Sequence, residues 1–182
     1  DPIDGTRAFI DGEKQFTICI GVVDATRAAA GVIYNPITEE MFLGAVGAGA
    51  TLNGAPIQAS TRTTLEDAHF IGKRGFYQGA HKWPIPWPEM RFTARHSIAY
   101  RMALVACGQF DATILYGFKH EWDIAAGAAI IEAAGGRFTD PWGKAIAFNQ
   151  PDPRAPGAVA SGAGLHPLII ERTAHFSHPR QG

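Results

Sequence analysis

Between Phe16 and Asp24 the chain reads Phe-Thr-Ile-Cys-Ile-Gly-Val-Val-Asp, a run of β-branched and apolar types that predicts a buried strand over 16–24. Ala29 to Tyr34 is its expected partner, ended by the turn-forming Asn35-Pro36, and Glu39 to Ala45 alternates well enough for a third strand. Asn53-Gly54, the strongest hairpin dipeptide, separates Ala50-Thr51-Leu52 from Ala55-Pro56-Ile57, so the first part of the chain is predicted to be an antiparallel meander. Ala68 to Gly72 reads as a short strand, and Phe76 to Glu89 as a proline-braced loop that packs its own aromatics, Trp83 and Trp87. Ile98, Met102, Val105 and Ala106 fall at helical spacing behind Ser97, a suitable N-cap, and before Gly108, a stop. Asp111 to Leu115 predicts another strand. Asp123 to Ala134 is the clearest helix, Ala-rich and closed by Gly135-Gly136. Strands at Arg137 to Thr139 and Ala158 to Ala160, and a helix at Pro167 to Thr173, complete the pattern. Strands and helices interleave without a βαβ rhythm, which predicts a layered α+β architecture rather than a doubly wound parallel sheet.

Composition narrows the function classes. The 182 residues fit one compact domain, 1–182, able to bury a core without staples. With 46% hydrophobic and 18% charged residues, the chain is ordinary globular protein rather than disordered. A formal net charge of -1 offers no basic field for a nucleic-acid polymer. No apolar run approaches about 20 residues, so no membrane partner is expected and the expected location is cytoplasmic. Cys19 and Cys107, far apart on apolar segments, read as reduced core residues. The sequence opens without Met, and Asp1-Pro2-Ile3-Asp4-Gly5-Thr6 has no preceding strand or helix to carry it. It therefore reads as a fragment whose N-terminal portion is missing.

That opening segment is also the first candidate for chemistry. Pro2 stiffens it, so Asp1 and Asp4 can lie on one side of a turn with the Ile3 carbonyl pointing the same way. Such hard oxygen ligands suit Mg²⁺ and suit zinc poorly. Gly5 permits close approach of a ligand, so the Gly5 and Thr6 amides can face a phosphate, and the Thr6 hydroxyl can orient a water. An Asx-type turn with two capping aspartates accounts for the same spacing. In the second candidate, Glu121-Trp122-Asp123-Ile124-Ala125-Ala126-Gly127, Asp123 reads either as a helix N-cap or as a ligand. The small residues behind it favour the ligand, because they let neighbours approach closely.

Together these segments resemble the inositol monophosphatase superfamily of magnesium-dependent, lithium-sensitive phosphatases. The first signature is Asp1 to Thr6 followed by Phe9; the second is Trp122 to Gly127 followed by Glu132-Ala133-Ala134-Gly135-Gly136. Gly31 to Pro36, Gly49 to Gly54 and Val105 to Asp111 match in order between them. The resemblance implies a layered αβαβα sandwich of the inositol monophosphatase and sugar phosphatase type, here lacking its N-terminal helices. It implies Asp1, the Ile3 carbonyl and Asp4 as Mg²⁺ ligands, with Asp4 and Asp123 sharing a second of two or three ions. Gly5 and Thr6 would hold the phosphate, Asp123 would reach the substrate, and Asp4 and Thr6 would be the catalytic residues. The implied reaction is in-line hydrolysis by metal-activated water, without a covalent enzyme intermediate. A Glu ligand and further acids that activate water belong upstream of the first signature. Their absence from this sequence leaves open an inactive or non-catalytic homologue.

The implied substrate is a small phosphorylated metabolite, and the implied assembly a homodimer. Inositol-type members carry a Glu seven residues before the second-signature Asp, where this chain has Tyr116. The Gly108-to-Asp123 spacing, Phe16-Thr17 and Phe148 to Pro153 look more like the 3'(2'),5'-bisphosphate nucleotidase branch, which converts 3'-phosphoadenosine 5'-phosphate to AMP and phosphate. The alternative is an inositol-1-phosphate phosphatase. Lys119 reads as a contact for a second substrate phosphate or as a solvated loop lysine. His120 reads as a packed or surface residue, His175 and His178 as a solvated tail, and Arg95, Arg101 and Arg137 as structural.

Overall fold

The computed structural model describes residues 1–77 and 83–176. Its strands are β1 (Ile18–Asp24), β2 (Arg27–Asn35), β3 (Glu40–Ala45), β4 (Gly49–Leu52), β5 (Ala55–Pro56), β6 (His69–Ile71), β7 (Arg91–Thr93), β8 (Ala112–His120), β9 (Gly136–Thr139) and β10 (Arg154–Gly162). The helices are α1 (Thr6–Ile10), α2 (Arg74–Tyr77), α3 (Ile98–Ala106), α4 (Glu121–Ala133) and α5 (His166–Thr173). β1 to β5 form the expected antiparallel meander in chain order. At its tightest hairpin Asn53 accepts the left-handed backbone, φ 49°, and its side chain ties Met41 N to Glu39 O across the turn. The second sheet runs β7-β6-β8-β10-β9, parallel around β6 and antiparallel from β8 to β9.

Period-two side-chain alternation divides the second sheet into two faces. Leu115, Ala158 and Ala160 join the core shared with α3, α4 and the first sheet, whereas Ile114 and Val159 join Phe70, Leu165 and Ile169 beneath α5. The layers are therefore sheet, helices, sheet, helix, an α+β sandwich. On the outer face of the first sheet, Ile18, Ile20, Val22 and Leu43 stay exposed, and no described element covers them. Among the described residues no helix is long and apolar enough to cross a membrane. Cys19 and Cys107 are both free, and burial pushes the Cys19 thiol up to about 11.

Several elements depart from the sequence expectation. β8 continues to His120 and β10 begins at Arg154, because each pairs the other from Arg154–His120 to Ser161–Ala112. A register shift between Ala155 and Gly157 takes Pro156 out of the ladder, so a proline-containing stretch can still serve as a strand. α1, α2 and β7 are too short to carry a periodic signal. The aromatic loop packs on itself, Trp83 lying 5.0 Å from Trp87 and only 4% exposed, while residues 78–82 of that loop fall outside the described residues. His175 is exposed; His178 also lies outside them.

α4 sits in the central layer, with every residue from Ile124 to Ile131 buried. A helix buried all round needs both neighbours to approach closely. The first sheet provides this with Gly21, Gly31 and Gly44, which stand side by side on β1, β2 and β3. A Cβ on Gly31 would lie 2.3 Å from the Ala126 carbonyl oxygen, and one on Gly44 would lie 2.8 Å from Ile130 Cα. On the other side, a Cβ on Gly127 would strike Met102 of α3 at 2.6 Å. Backbone cannot yield as a flexible side chain can. Gly31→Ala is expected to destabilise the protein by about 2 kcal/mol or more in denaturant unfolding. Gly75→Ala, with open space around its Cβ position, should stay within about 0.5 kcal/mol.

Candidate metal centre

The opening segment does have a strand to carry it. Asp1 and Cys19 exchange backbone hydrogen bonds, Asp1 N to Cys19 O at 3.0 Å and Cys19 N to Asp1 O at 2.8 Å. Asp4 and Thr17 do the same at 2.9 Å each way. Asp1 to Asp4 thus extends the edge of β1 and inherits its rigidity. Gly5 then turns the chain into α1 with φ 88°, where a Cβ would lie 2.8 Å from the Gln15 carbonyl. The Thr6 hydroxyl turns back to donate to the Ile3 carbonyl at 3.1 Å. Phe9 braces α1 by an edge contact with Phe16, 5.1 Å between centroids.

Asp4 is buried, and both bonds it accepts come from the start of α3. Its Oδ2 takes the Ala99 amide at 2.7 Å and the Ser97 hydroxyl, while Ser97 also caps α3 by accepting from Tyr100 N at 2.9 Å. Oδ1 has no hydrogen-bond donor among the described residues. Asp123 arrives from α4, seated between the two sheets. The helix begins at Glu121 rather than at Asp123, with His120 as N-cap, so Asp123 lies in the first turn and is not the cap. Its carboxylate faces Asp1 and Asp4, and oxygens of all three lie within 4.8 Å of one another.

This arrangement fits a hard divalent cation. An octahedral shell at about 2.1 Å sets opposed ligand oxygens about 4.2 Å apart, close to the span of the three carboxylates. None of the three forms an ion pair with a described basic side chain. Burial is the main reason the Asp4 and Asp123 carboxyls are both held above the ordinary aspartate value; the Asp123 charge adds to the effect at Asp4. Three convergent carboxylates, none paired with a described basic side chain and two of them held above the ordinary aspartate value by burial, are compatible with a cation site.

Lys119 and His120 both make contacts within the protein. Lys119 Nζ donates to the carbonyls of Tyr116, Gly117 and Phe118 at 2.7, 3.0 and 3.0 Å, using all three of its protons within its own loop. Lys119 is half-buried rather than freely solvated, and burial lowers its pKa. His120 stacks flat on Trp122 at 4.2 Å, a packed surface pair. The Phe148 to Pro153 stretch acts as a clasp: Glu121 accepts from Asn149 N and Gln150 N, and donates its own amide to Pro153 O.

Fold and site together define a layered α+β protein with a cluster of three carboxylates that could hold a divalent metal. The model of the inositol monophosphatase family matches residues 1–177, and the chain belongs to that family. It is 35% identical over 153 residues to inositol monophosphatase 3 of Solanum lycopersicum, covering 79% of this chain and 56% of that relative. To the fructose-1,6-bisphosphatase/inositol-1-monophosphatase of Thermotoga maritima it is 34% identical over 154 residues, 82% of this chain and 59% of the relative. Among solved structures, the inositol monophosphatase of Anabaena superposes with a TM-score of 0.81 at 25% identity, covering 98% of this chain and 71% of that one. The chain spans a little over half the length of the curated relatives it matches.

Ser97 and the Ala99 amide escaped the sequence reading as parts of the site. Ser97 was legible as a helix cap, but nothing in the local pattern says that the cap also holds a carboxylate 93 positions away. Because Asp4 has a raised pKa in the folded state, the metal-free protein should gain stability as pH falls from neutral through that raised value, and level off below the ordinary aspartate range. Asp4→Asn should accordingly raise the metal-free melting temperature at neutral pH, by roughly 2–4 °C per kcal/mol for a chain of this size. Saturating Mg²⁺ should reverse the order of the two proteins in the same thermal scan.

Proposed function

We propose that this chain carries the metal-binding and phosphate-binding core of an Mg²⁺-dependent hydrolase of small phosphate monoesters. The observation that carries the reading is the convergence of the Asp1, Asp4 and Asp123 carboxylates in a family of inositol monophosphatases. Asp1, Asp4, Asp123 and the Ile3 carbonyl would hold the cation, and when bound it supplies charge neutralisation at the phosphate and acidifies water. The Gly5 and Thr6 amides would orient the phosphate. The Thr6 hydroxyl, already donating to Ile3 O, keeps its lone pairs for a water and would aim it at phosphorus. Ser97 and the Ala99 amide fix the Asp4 carboxylate, so that ligand does not reorganise as charge develops. Water adds to phosphorus as the ester oxygen leaves, giving an alcohol and inorganic phosphate.

The choice of ester rests on less. Names of similar proteins include both inositol-1-monophosphatase and fructose-1,6-bisphosphatase. Tyr116 stands, exposed, where a polyol-gripping carboxylate is expected, which favours a substrate other than inositol 1-phosphate.

Phosphate release from a full-length protein containing these residues is expected to require Mg²⁺. Asp4→Asn and Asp123→Asn should each lower kcat/KM by at least about 100-fold and weaken Mn²⁺ binding in calorimetry. Parental rates in both variants would sink the site assignment. Inositol 1-phosphate and 3'-phosphoadenosine 5'-phosphate, run side by side, separate the two substrate readings.

A further inference from the structure

The hydroxyl that holds Asp4 has a row of polar groups behind it. Thr17 Oγ1 lies 3.1 Å from Ser97 Oγ, and Cys19 Sγ lies 3.4 Å from Thr17 Oγ1. Thr17 and Cys19 are two residues apart at the start of β1, so their side chains point to the same, inner side. Thr17 and Ser97 are fully buried and Cys19 is 5% exposed, which keeps bulk water from competing for any of the three.

The number of protons gives this row a direction. A carboxylate that holds a cation only accepts, so the single hydroxyl proton of Ser97 goes to Asp4 Oδ2. One lone pair of Ser97 takes the Tyr100 amide at 2.9 Å, which leaves the other for Thr17. The Thr17 proton is therefore donated to Ser97, and among the described residues the Thr17 hydroxyl oxygen is left to accept from the Cys19 thiol. Burial pushes that thiol up to about 11, so at neutral pH it has a proton to give. Cys19 thus donates to Thr17, Thr17 to Ser97 and Ser97 to Asp4, and each bond polarises the one ahead of it. Without the thiol, the Thr17 hydroxyl can turn round and accept from Ser97, which takes the donor away from Asp4.

We propose that Thr17 is a positioning residue for the cation site: acting through Ser97, it keeps the Ser97 proton on Asp4 Oδ2 and leaves Oδ1 to the cation, with the Cys19 thiol setting the direction. Thr17 also pairs with Asp4 through the main chain, at 2.9 Å each way. That pairing survives a change of side chain, so substitution isolates the hydroxyl. This role rests on the metal-site reading above and is measured by cation binding, which needs no turnover.

Mn²⁺ binding is followed by calorimetry, with Asp4→Asn as the reference. Thr17→Val, close in shape, should weaken it about tenfold, the lower end for groups that orient a metal ligand, and Thr17→Ser should return it to within about twofold of the parent. Cys19→Ala should weaken it about threefold, while Cys19→Ser, which supplies a donor again, should match the parent. A lower melting temperature in Thr17→Val with parental Mn²⁺ affinity in the folded protein means a purely structural threonine and overturns the positioning role. Equal affinities in the two Cys19 variants overturn the directed row, and that pair decides alone if Thr17→Val does not fold. Parental affinity in Asp4→Asn overturns the metal-site reading and this role with it. Weakened binding in Asp4→Asn beside parental binding in Thr17→Val overturns this role only. Mn²⁺ binding without hydrolysis of any ester counts against the hydrolase reading alone, and the same binding comparison still decides the part played by Thr17.

Discussion

The closest constraint in the molecule is the seat of α4 on a row of glycines. Gly21, Gly31 and Gly44 remove the side chains that would otherwise hold the helix off the first sheet, and Gly127 lets α3 close from the other side. A buried helix with so little side-chain bulk has few ways to shift, because its neighbours are backbone rather than adaptable side chains. The position of its first turn follows, and with it the position of Asp123. The clasp between Glu121 and the 148–153 stretch pins that same turn from outside. A small displacement of α4 would move Asp123 away from Asp1 and Asp4, so core packing and metal geometry are one problem here.

The other half of the cluster is fixed differently. Asp1 and Asp4 ride on the edge of β1 through backbone pairing, and Asp4 is then locked by the cap of α3. Three elements that share no local sequence thus deliver three carboxylates to one point. Such a point is electrostatically unfavourable in the metal-free protein, since burial and mutual repulsion both oppose ionisation at Asp4. The structure accepts that cost because rigid surroundings prevent the carboxylates from separating, which is the condition for high affinity toward a small cation. At Asp4, folding stability pulls against the proposed metal site.

One turn along α3 from the cap that holds Asp4, Arg101 brings charge of the opposite sign. Arg101 and its neighbours sit within one turn of the aspartates yet do not neutralise them by direct pairing. A protein that needed only internal charge balance would have closed those pairs.

The sequence by itself determined the meander, the two long helices and the two aspartate segments. Each of these is a local signal: β-branched runs, Asn-Gly at a hairpin, Ser97 before helical spacing, carboxylates around Pro2. Family resemblance joined Asp4 to Asp123, which spacing alone left as a turn and a cap. Tertiary structure decided the rest. It made a strand of the Pro156 segment by pairing it with β8, moved Asp123 from the cap into the first turn, and folded Lys119 onto its own loop. It also gave Ser97 a second task and left the Arg101 Nε buried without a hydrogen-bond partner among the described residues. These outcomes depend on contacts between residues distant in the chain, and periodicity carries no information about which buried donor will meet which acceptor. The opening Asp1 to Thr6 segment shows both sides: its chemistry was legible in its residue types, and its rigidity came only from β1 and α3.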